Sequence, residues 1–236
     1  MKRRGELPPS ALPGCLDAAA NRGAIDFRCG LLAYAAHSLV CVVDPSAVEL
    51  AQTLDGHKSK VCLVRWAPRK PTRCTLADEA PLTLASADLS GEVAVWDVLR
   101  GVALCWLTDV SGGPAGKGSP ALSLHWLPHH PDTLVCLHAP STLAAYQLRQ
   151  PGRASGSSNP TGPSYSLPAA GTTPPAEGGA SLLWQVALPE VAQAAAFDAT
   201  GGGRLAVYCA RSGHLMQLGP LNTHSTPQRI SLHERC

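Results

Sequence analysis

A chain of 236 residues is long enough to bury a sizeable core in one or two domains. Only 15% of the residues are charged and the net charge is +2, too small a basic excess for an electrostatic nucleic-acid binder. Hydrophobic residues reach 45% with 5% aromatic, while 22 Gly and 21 Pro, about 18% of the chain against an average near 12%, exclude long-helix and coiled-coil architectures.

Residues 1–23 read as an N-terminal tail, because Lys2, Arg3 and Arg4 are followed by Pro8, Pro9 and Pro13 instead of the apolar run of a secretory signal. Beyond it the apolar period is two, the strand period, in short runs bounded by Gly, Pro, Asp and Ser. Such runs cover residues 31–36, 38–43, 61–66, 82–85, 93–98, 102–107, 121–126, 133–137, 142–148, 182–188, 193–197, 205–209 and 214–218. No stretch forms an amphipathic helix of three turns. Residues 31–43 are the most apolar stretch, but thirteen residues with His37 among them are too few to span a bilayer. An all-β fold is expected.

Within this pattern lies an internal repeat. Arg65-Trp66-Ala67-Pro68 recurs as His125-Trp126-Leu127-Pro128 and, more faintly, as Ala196-Phe197-Asp198-Ala199. A second strand follows each copy: Trp126 to Tyr146 and Phe197 to Gln217 are both twenty residues, and Trp66 to Trp96 is thirty because of a polar stretch over residues 69–81. Constant core spacing with variable loops is the mark of stacked β units.

The second copy carries a sharper signature. Asp55-Gly56-His57 precedes its first strand and Val95-Trp96-Asp97 closes its third, with 42 residues from Gly56 to Asp97. Between them stands Leu84-Ala85-Ser86-Ala87-Asp88-Leu89-Ser90-Gly91. The pattern predicts a hydrogen-bonded staple in which His57 reaches Ser86 and Asp88, and Trp96 completes the set. Gly56, His57, Ser86, Asp88, Trp96 and Asp97 are therefore the expected structural site.

On these residues the chain resembles the WD-repeat β-propeller family and, within it, the WD repeat-containing protein 11 family. The resemblance continues through Gly30-Leu31-Leu32-Ala33-Tyr34, His37-Ser38-Leu39-Val40 and Val64-Arg65-Trp66-Ala67. It fades through His125-Trp126-Leu127, Leu182-Leu183-Trp184 and Phe197-Asp198, covering residues 15–148 and 181–218. Two departures stand out. Common WD repeats place the turn Asp six residues before the Trp, where this chain has Ser90, and Asp88 lies two earlier. The other repeats lack Gly-His and Trp-Asp, with Val43-Asp44 standing in the Trp-Asp place of the first.

The expected architecture is an incomplete WD40-type β-propeller segment of three to four blades with disordered loop insertions. Blade one covers residues 24–54, blade two 55–107, and blade three begins near Ala121, so 24–148 hold blades one to three in part. Residues 149–181 form a Pro/Gly/Ser-rich insertion, 182–218 the end of blade three and a partial blade four, and 219–236 a C-terminal tail. Of residues 151–180, six are Pro, six Gly, five Ser and three Thr, which leaves too little apolar surface to offset chain entropy. Residues 112–118 read as a shorter loop of the same kind.

Candidate chemistry elsewhere yields to plainer readings. The nine cysteines are never closer than twelve residues apart, which excludes Cys-x-x-Cys zinc spacing and reads as buried thiols of a reducing, cytoplasmic compartment. His125, His129, His130, Cys136 and His138 crowd into fourteen residues, but zinc needs three or four converging ligands, and residues 129–132 fall in an exposed hairpin. Gly201-Gly202-Gly203-Arg204 precedes a strand, not the helix a phosphate cradle requires. His57, Ser86 and Asp88 spell the residue types of a hydrolase triad, yet in this pattern they hold backbone together. No catalytic, cofactor-binding or metal-binding residue is expected, and no cofactor.

The resemblance implies a non-enzymatic scaffold for protein–protein interaction, acting in vesicle tethering and endosome-to-Golgi transport with a link to ciliary signalling. Its expected partners are subunits of a trafficking or adaptor complex, with no nucleic acid, small-molecule substrate or integral membrane segment, and any membrane contact is peripheral, through partners. The trans-Golgi network and cytoplasmic vesicles are the implied locations, with the nucleus or cilium base as others. The alternative is a WD-repeat substrate-receptor or chromatin-associated adaptor. Limited proteolysis tests the insertion: cleavage within residues 151–180 should leave both halves associated, whereas halves that separate would mark a domain linker.

Overall fold

The computed structural model describes residues 17, 19–68, 82–107, 119–128, 130–149, 179–198, 203–209, 211–219, 221 and 229–233. Within them are sixteen strands in four antiparallel four-stranded sheets. The first sheet runs β1 (Ile25–Arg28), β2 (Leu31–Ala36), β3 (Leu39–Asp44), β4 (Glu49–Leu54), and the second β5 (Val61–Trp66), β6 (Thr83–Asp88), β7 (Val93–Asp97), β8 (Val102–Leu107). The third is β9 (Ala121–Leu127), β10 (His130–His138), β11 (Thr142–Leu148), β12 (Ala180–Ala187). The fourth is β13 (Ala192–Phe197), β14 (Leu205–Cys209), β15 (Leu215–Leu218), β16 (Arg229–His233). Every sheet is a meander, each strand pairing with its neighbour in sequence.

Three buried apolar clusters lie between consecutive sheets. Ala33, Ala35, Val40 and Val42 of the first sheet meet Trp66, Leu84 and Trp96 of the second. Ala85, Ala87, Val93 and Val95 meet Leu124, Trp126, Leu134 and Tyr146 of the third. Val135, Leu137, Leu143 and Ala145 then meet Leu205, Val207, Met216 and Leu218 of the fourth. The strand pleat produces this sharing: Leu84 points to one neighbour and Ala85 to the other, so β6 and β7 are buried along almost their whole length. The result is an unclosed propeller segment of four blades.

The repeat seen in the sequence is one cross-strand row. Trp66, Leu84 and Trp96 stand side by side in the second sheet, and Trp126, Leu134 and Tyr146 occupy the same places in the third. In the fourth the row is Phe197, Leu205 and Leu218, so Leu218 takes the position that spacing had assigned to Gln217, which faces the other way. Each row faces the preceding sheet. Backbone bonds fix the stacking: Trp66 Nε1 donates to the Asp26 carbonyl at 3.2 Å and Trp126 Nε1 to the Arg65 carbonyl at 3.1 Å. The amide of Val61 donates to the His37 carbonyl at 2.8 Å, and that of Ala192 repeats this contact on Pro140 at 2.8 Å.

Several segments are ordered beyond their expected limits. In the expected N-terminal tail, Asn21 is buried and donates from Nδ2 to the Val61 carbonyl at 2.6 Å, pinning residues 19–23 onto the second sheet. Ala180 and Ser181, expected in the insertion, pair with Leu148 and Gln147 because ladder bonds need no apolar side chain. Arg229–His233, expected in the C-terminal tail, pairs with β15 and gives the fourth blade a full set of strands. Residues 151–178 and 112–118, expected as loops, lie outside the described residues.

Substituting Trp126→Phe removes the indole N–H bonded to Arg65 and part of the ring. A loss of about 1–3 kcal/mol in denaturant unfolding is expected, with the far-ultraviolet circular dichroism unchanged.

Candidate functional site

Local sequence explains how the predicted staple residues come together. Ser86 and Asp88, two residues apart on β6, project to one face, where Leu84 and Trp96 are also found. Gly56 and His57 lie in the connection from β4 to β5. A Cβ at Gly56 would sit 3.0 Å from the Trp106 ring and 3.2 Å from the Trp96 ring, so only glycine lets the chain pass between them.

His57 Nδ1 stands 3.0 Å from Asp88 Oδ2 and its Nε2 stands 2.7 Å from Ser86 Oγ. Trp96 Nε1 donates to the same Ser86 Oγ at 2.7 Å. Since Oγ accepts from the indole, its own proton is directed at His57 Nε2, and Nδ1–H then donates to the carboxylate. One directed chain, Trp96 to Ser86 to His57 to Asp88, satisfies every group. The His57 and Asp88 side chains are fully buried.

Asp88 does a second job through its other oxygen. Oδ1 accepts from the Ser90 amide at 2.9 Å, the Ser90 hydroxyl at 2.5 Å and the Glu92 amide at 3.2 Å, which closes the turn between β6 and β7. Burial by itself would raise the Asp88 pKa, but the hydrogen bonds from His57 and Ser90 outweigh it and hold the carboxyl below its ordinary value. The departure noted in the sequence is thereby explained geometrically: Asp88 meets the histidine, and Ser90 braces Asp88.

Asp97 lies at the far end of the blade. Its Oδ1 accepts from the amides of Leu99 and Arg100 at 3.1 and 3.3 Å, ordering the turn into β8. Asp44 does the same for Ser46 and Ala47 at 2.8 and 3.3 Å. Val43 holds the register place in blade one that Trp96 holds in blade two.

Trp106, which the sequence reading did not single out, belongs to this site. Its ring meets His57 edge-on at 5.1 Å between centroids and Trp96 at 5.6 Å. Set edge-on against His57 from the outermost strand, it covers the imidazole. The available signal was its place on β8 at the level of Ala94.

The histidine cluster does not assemble a centre. His125 stacks on Phe197 at 5.3 Å with its pKa lowered to about 4, first by burial and then by the Arg65 charge. Cys136 packs in the core between the second and third sheets and His138 is buried at the end of β10, while His129 lies outside the described residues. Among the described residues no three His, Cys, Asp or Glu side chains are placed to hold a metal ion. Burial raises the thiols of Cys62 and Cys105 to about 11, which keeps them protonated and unreactive at neutral pH.

The staple's stability should follow its hydrogen bonds. His57→Ala strands Asp88 and Ser86 in a dry site and should cost about 1–3 kcal/mol in denaturant unfolding. Because the folded Asp88 pKa is lowered, its contribution is complete above the ordinary carboxylate value and is lost as pH falls through the folded one. Asp88→Asn should therefore unfold at neutral pH more readily and show a shallower acid transition; an unchanged acid limb would deny Asp88 this part.

Comparison with known proteins follows the same lines. A model of the WDR11 first beta-propeller family matches residues 17–155. WD repeat-containing protein 11 of Mus musculus and of Homo sapiens are each 34% identical over 139 residues, which is 57% of this chain and 11% of theirs. The protein of that name from Danio rerio is 32% identical over 130 residues, 53% of this chain and 10% of its own length. The chain thus spans about a tenth of the relatives it matches. A solved chain from "Crystal Structure of Mitotic Checkpoint Complex" superposes with a TM-score of 0.59 at 13% identity, covering 89% of this chain and 51% of that one. At that identity the likeness concerns the fold alone.

Proposed function

The chain belongs to the WDR11 first beta-propeller family, and on that premise we propose that it is a non-enzymatic scaffold for protein–protein interaction in vesicle tethering and endosome-to-Golgi transport. The observation that carries this reading is the fate of His57, Ser86 and Asp88. Their types would suit acyl transfer, yet the imidazole and the carboxylate are fully buried and each bonded atom is engaged by another protein group. A nucleophile needs an exposed oxygen beside its base and room for a substrate carbonyl. Here the serine hydroxyl is held between an indole and an imidazole. The trio is architecture.

What such blades leave for partners is the turns and the strand edges, where backbone groups and side chains meet solvent. Other proteins are the partners this surface suits, as subunits of a trafficking complex, and cytoplasmic vesicles and the trans-Golgi network are the corresponding places, with a link to ciliary signalling. Among the described residues no helix is long and apolar enough to cross a membrane.

Affinity purification of the full chain from cells, followed by mass spectrometry, separates the readings. Enrichment of vesicle-tethering subunits, lost when the chain is unfolded by His57→Ala with Trp96→Ala, supports the scaffold in transport. Enrichment of ubiquitin-ligase or chromatin subunits in their place would overturn it in favour of a receptor or chromatin adaptor.

A further inference from the structure

Aligned by register, the three interfaces between blades treat their polar groups differently. Asp26, Arg65 and His125 hold one place in blades one to three, next to the aromatic residue of the row. Across the first interface, Asp26 Oδ2 accepts the Trp66 amide at 2.7 Å and the Asp26 carbonyl accepts the Trp66 indole at 3.2 Å. Across the second, the Arg65 carbonyl accepts the Trp126 indole at 3.1 Å, and the Arg65 guanidinium donates to the Val64 carbonyl at 2.7 Å. Across the third, Phe197 stands in the tryptophan place and has no side-chain N–H to give. His125 stacks on its ring at 5.3 Å, and the buried His125 Nε2 has no hydrogen-bond partner among the described residues.

Two hydroxyls in the third interface are left in the same condition. Ser123, opposite Leu137 in the ladder, and Thr133, two residues before Val135 on β10, share the face that meets blade four, and both are buried. Neither Ser123 Oγ nor Thr133 Oγ1 has a hydrogen-bond partner among the described residues. Blade two has the apolar Leu63 in the place of Ser123, and its Thr83, in the place of Thr133, is half-buried. A buried polar atom without a partner carries its desolvation cost in full, and that cost vanishes when the two faces part. The third interface does have a backbone bond, from the Ala192 amide to the Pro140 carbonyl at 2.8 Å. The first has the like bond from Val61 to His37, and adds Asn21 on the Val61 carbonyl to the two contacts of Asp26.

We propose that the contact between blades three and four is the weak joint of the segment, opening as one unit, and more readily in acid, while blades one to three stay packed. Opening gives Ser123, His125 and Thr133 to solvent, and it takes from Val207 and Met216 the cover of Leu137 and Leu143, without which the fourth sheet does not hold. The acid response comes from His125. The closed faces keep its imidazole neutral, with the pKa lowered to about 4 first by burial and then by the charge of Arg65 on β5, while β13 and β10 face it with the uncharged Phe197 and Val135. Once the faces part, the imidazole returns towards the ordinary histidine value of about 6.5. The closed state is therefore fully favoured above that value and loses up to about tenfold per pH unit as pH falls from about 6.5 towards about 4.

Hydrogen exchange of the full chain, read by mass spectrometry on peptides of each sheet and corrected for intrinsic rates, tests the joint. At neutral pH, β14 should be at least about tenfold less protected than β6 and β7. Trp66→Phe, which weakens the first interface, should lower the protection of β6 and β7 and leave β14 as it was. Thr133→Val keeps the shape and removes the unpartnered hydroxyl, so it should raise β14 protection by about tenfold. Where that variant fails to fold, Ser123→Ala reads the same effect. From about pH 6.5 to about pH 5 the protection of β14 should fall by up to about tenfold per unit, and His125→Phe should flatten that fall. Equal protection in all sheets, or a β14 that follows Trp66→Phe, overturns the proposal, because the segment would then unfold as one body. A β14 no better protected in Thr133→Val, or in Ser123→Ala where that variant is used, overturns it too, since the hydroxyl would then weaken nothing. An acid response that persists in His125→Phe denies this histidine its part and overturns the acid-opened joint.

Discussion

A four-stranded sheet that is apolar on both faces cannot be stable alone, and the rest of this structure depends on that constraint. In an ordinary antiparallel sheet one face meets solvent and the sequence alternates. Here β6 and β7 are buried on both sides, Leu84 and Trp96 against the first sheet and Ala85 and Val95 against the third. Burying a side chain of leucine size is worth about 1.5–3 kcal/mol, and each such contribution exists only while the neighbouring sheet is in place. Stability is therefore a property of interfaces between blades and not of blades, as in other repeat arrays.

The staple solves a different problem. Stacked sheets need a fixed entry angle, which apolar packing, being non-directional, does not supply. The chain from Trp96 through Ser86 and His57 to Asp88 supplies direction, because each donor has one acceptor and all lie where water is excluded. It ties the connection that leaves blade one to the middle of blade two, and Asp88 extends it into the hairpin through Ser90 and Glu92. Polar groups placed so deep stabilise only as a complete set, since any member left alone would carry its full desolvation cost.

How much of this was legible in the sequence depended on where burial lies. Strands such as β7 and β11 showed themselves because two neighbouring sheets cover them and apolar residues run nearly unbroken. The edge strands β1 and β4 did not, since Ile25–Arg28 and Glu49–Leu54 are largely exposed and their positions are set by ladder bonds that any residue can make. The staple was readable from Gly56-His57, Ser86, Asp88 and Trp96-Asp97 because its geometry demands particular atoms. Trp106 and Asn21 were not, as an aromatic on an outer strand and an amide in a turn carry no spacing of their own. The Gln217 assignment failed through a single-residue shift, which in a strand exchanges the two faces.

The unequal faces of each blade explain why the repeats could drift so far while the fold held. Each interface places a large row, Trp66 with Trp96 or Trp126 with Tyr146, against smaller residues, Ala33 with Val42 or Ala85 with Val95. What the interface requires is the sum of the two volumes. A blade can therefore lose its tryptophans if its neighbour gains bulk, and the third interface shows it: Leu205, Leu218 and Phe197 meet Val135 and Leu137, which stand where the first two interfaces have alanines, and Leu143, which stands where they have valines. The Gly-His and Trp-Asp signature survives where hydrogen bonding fixes atoms and fades where only volume matters. Asp44 and Asp97 show the remaining half of the rule, since both still accept the same pair of turn amides although Val43 has replaced the tryptophan beside one of them.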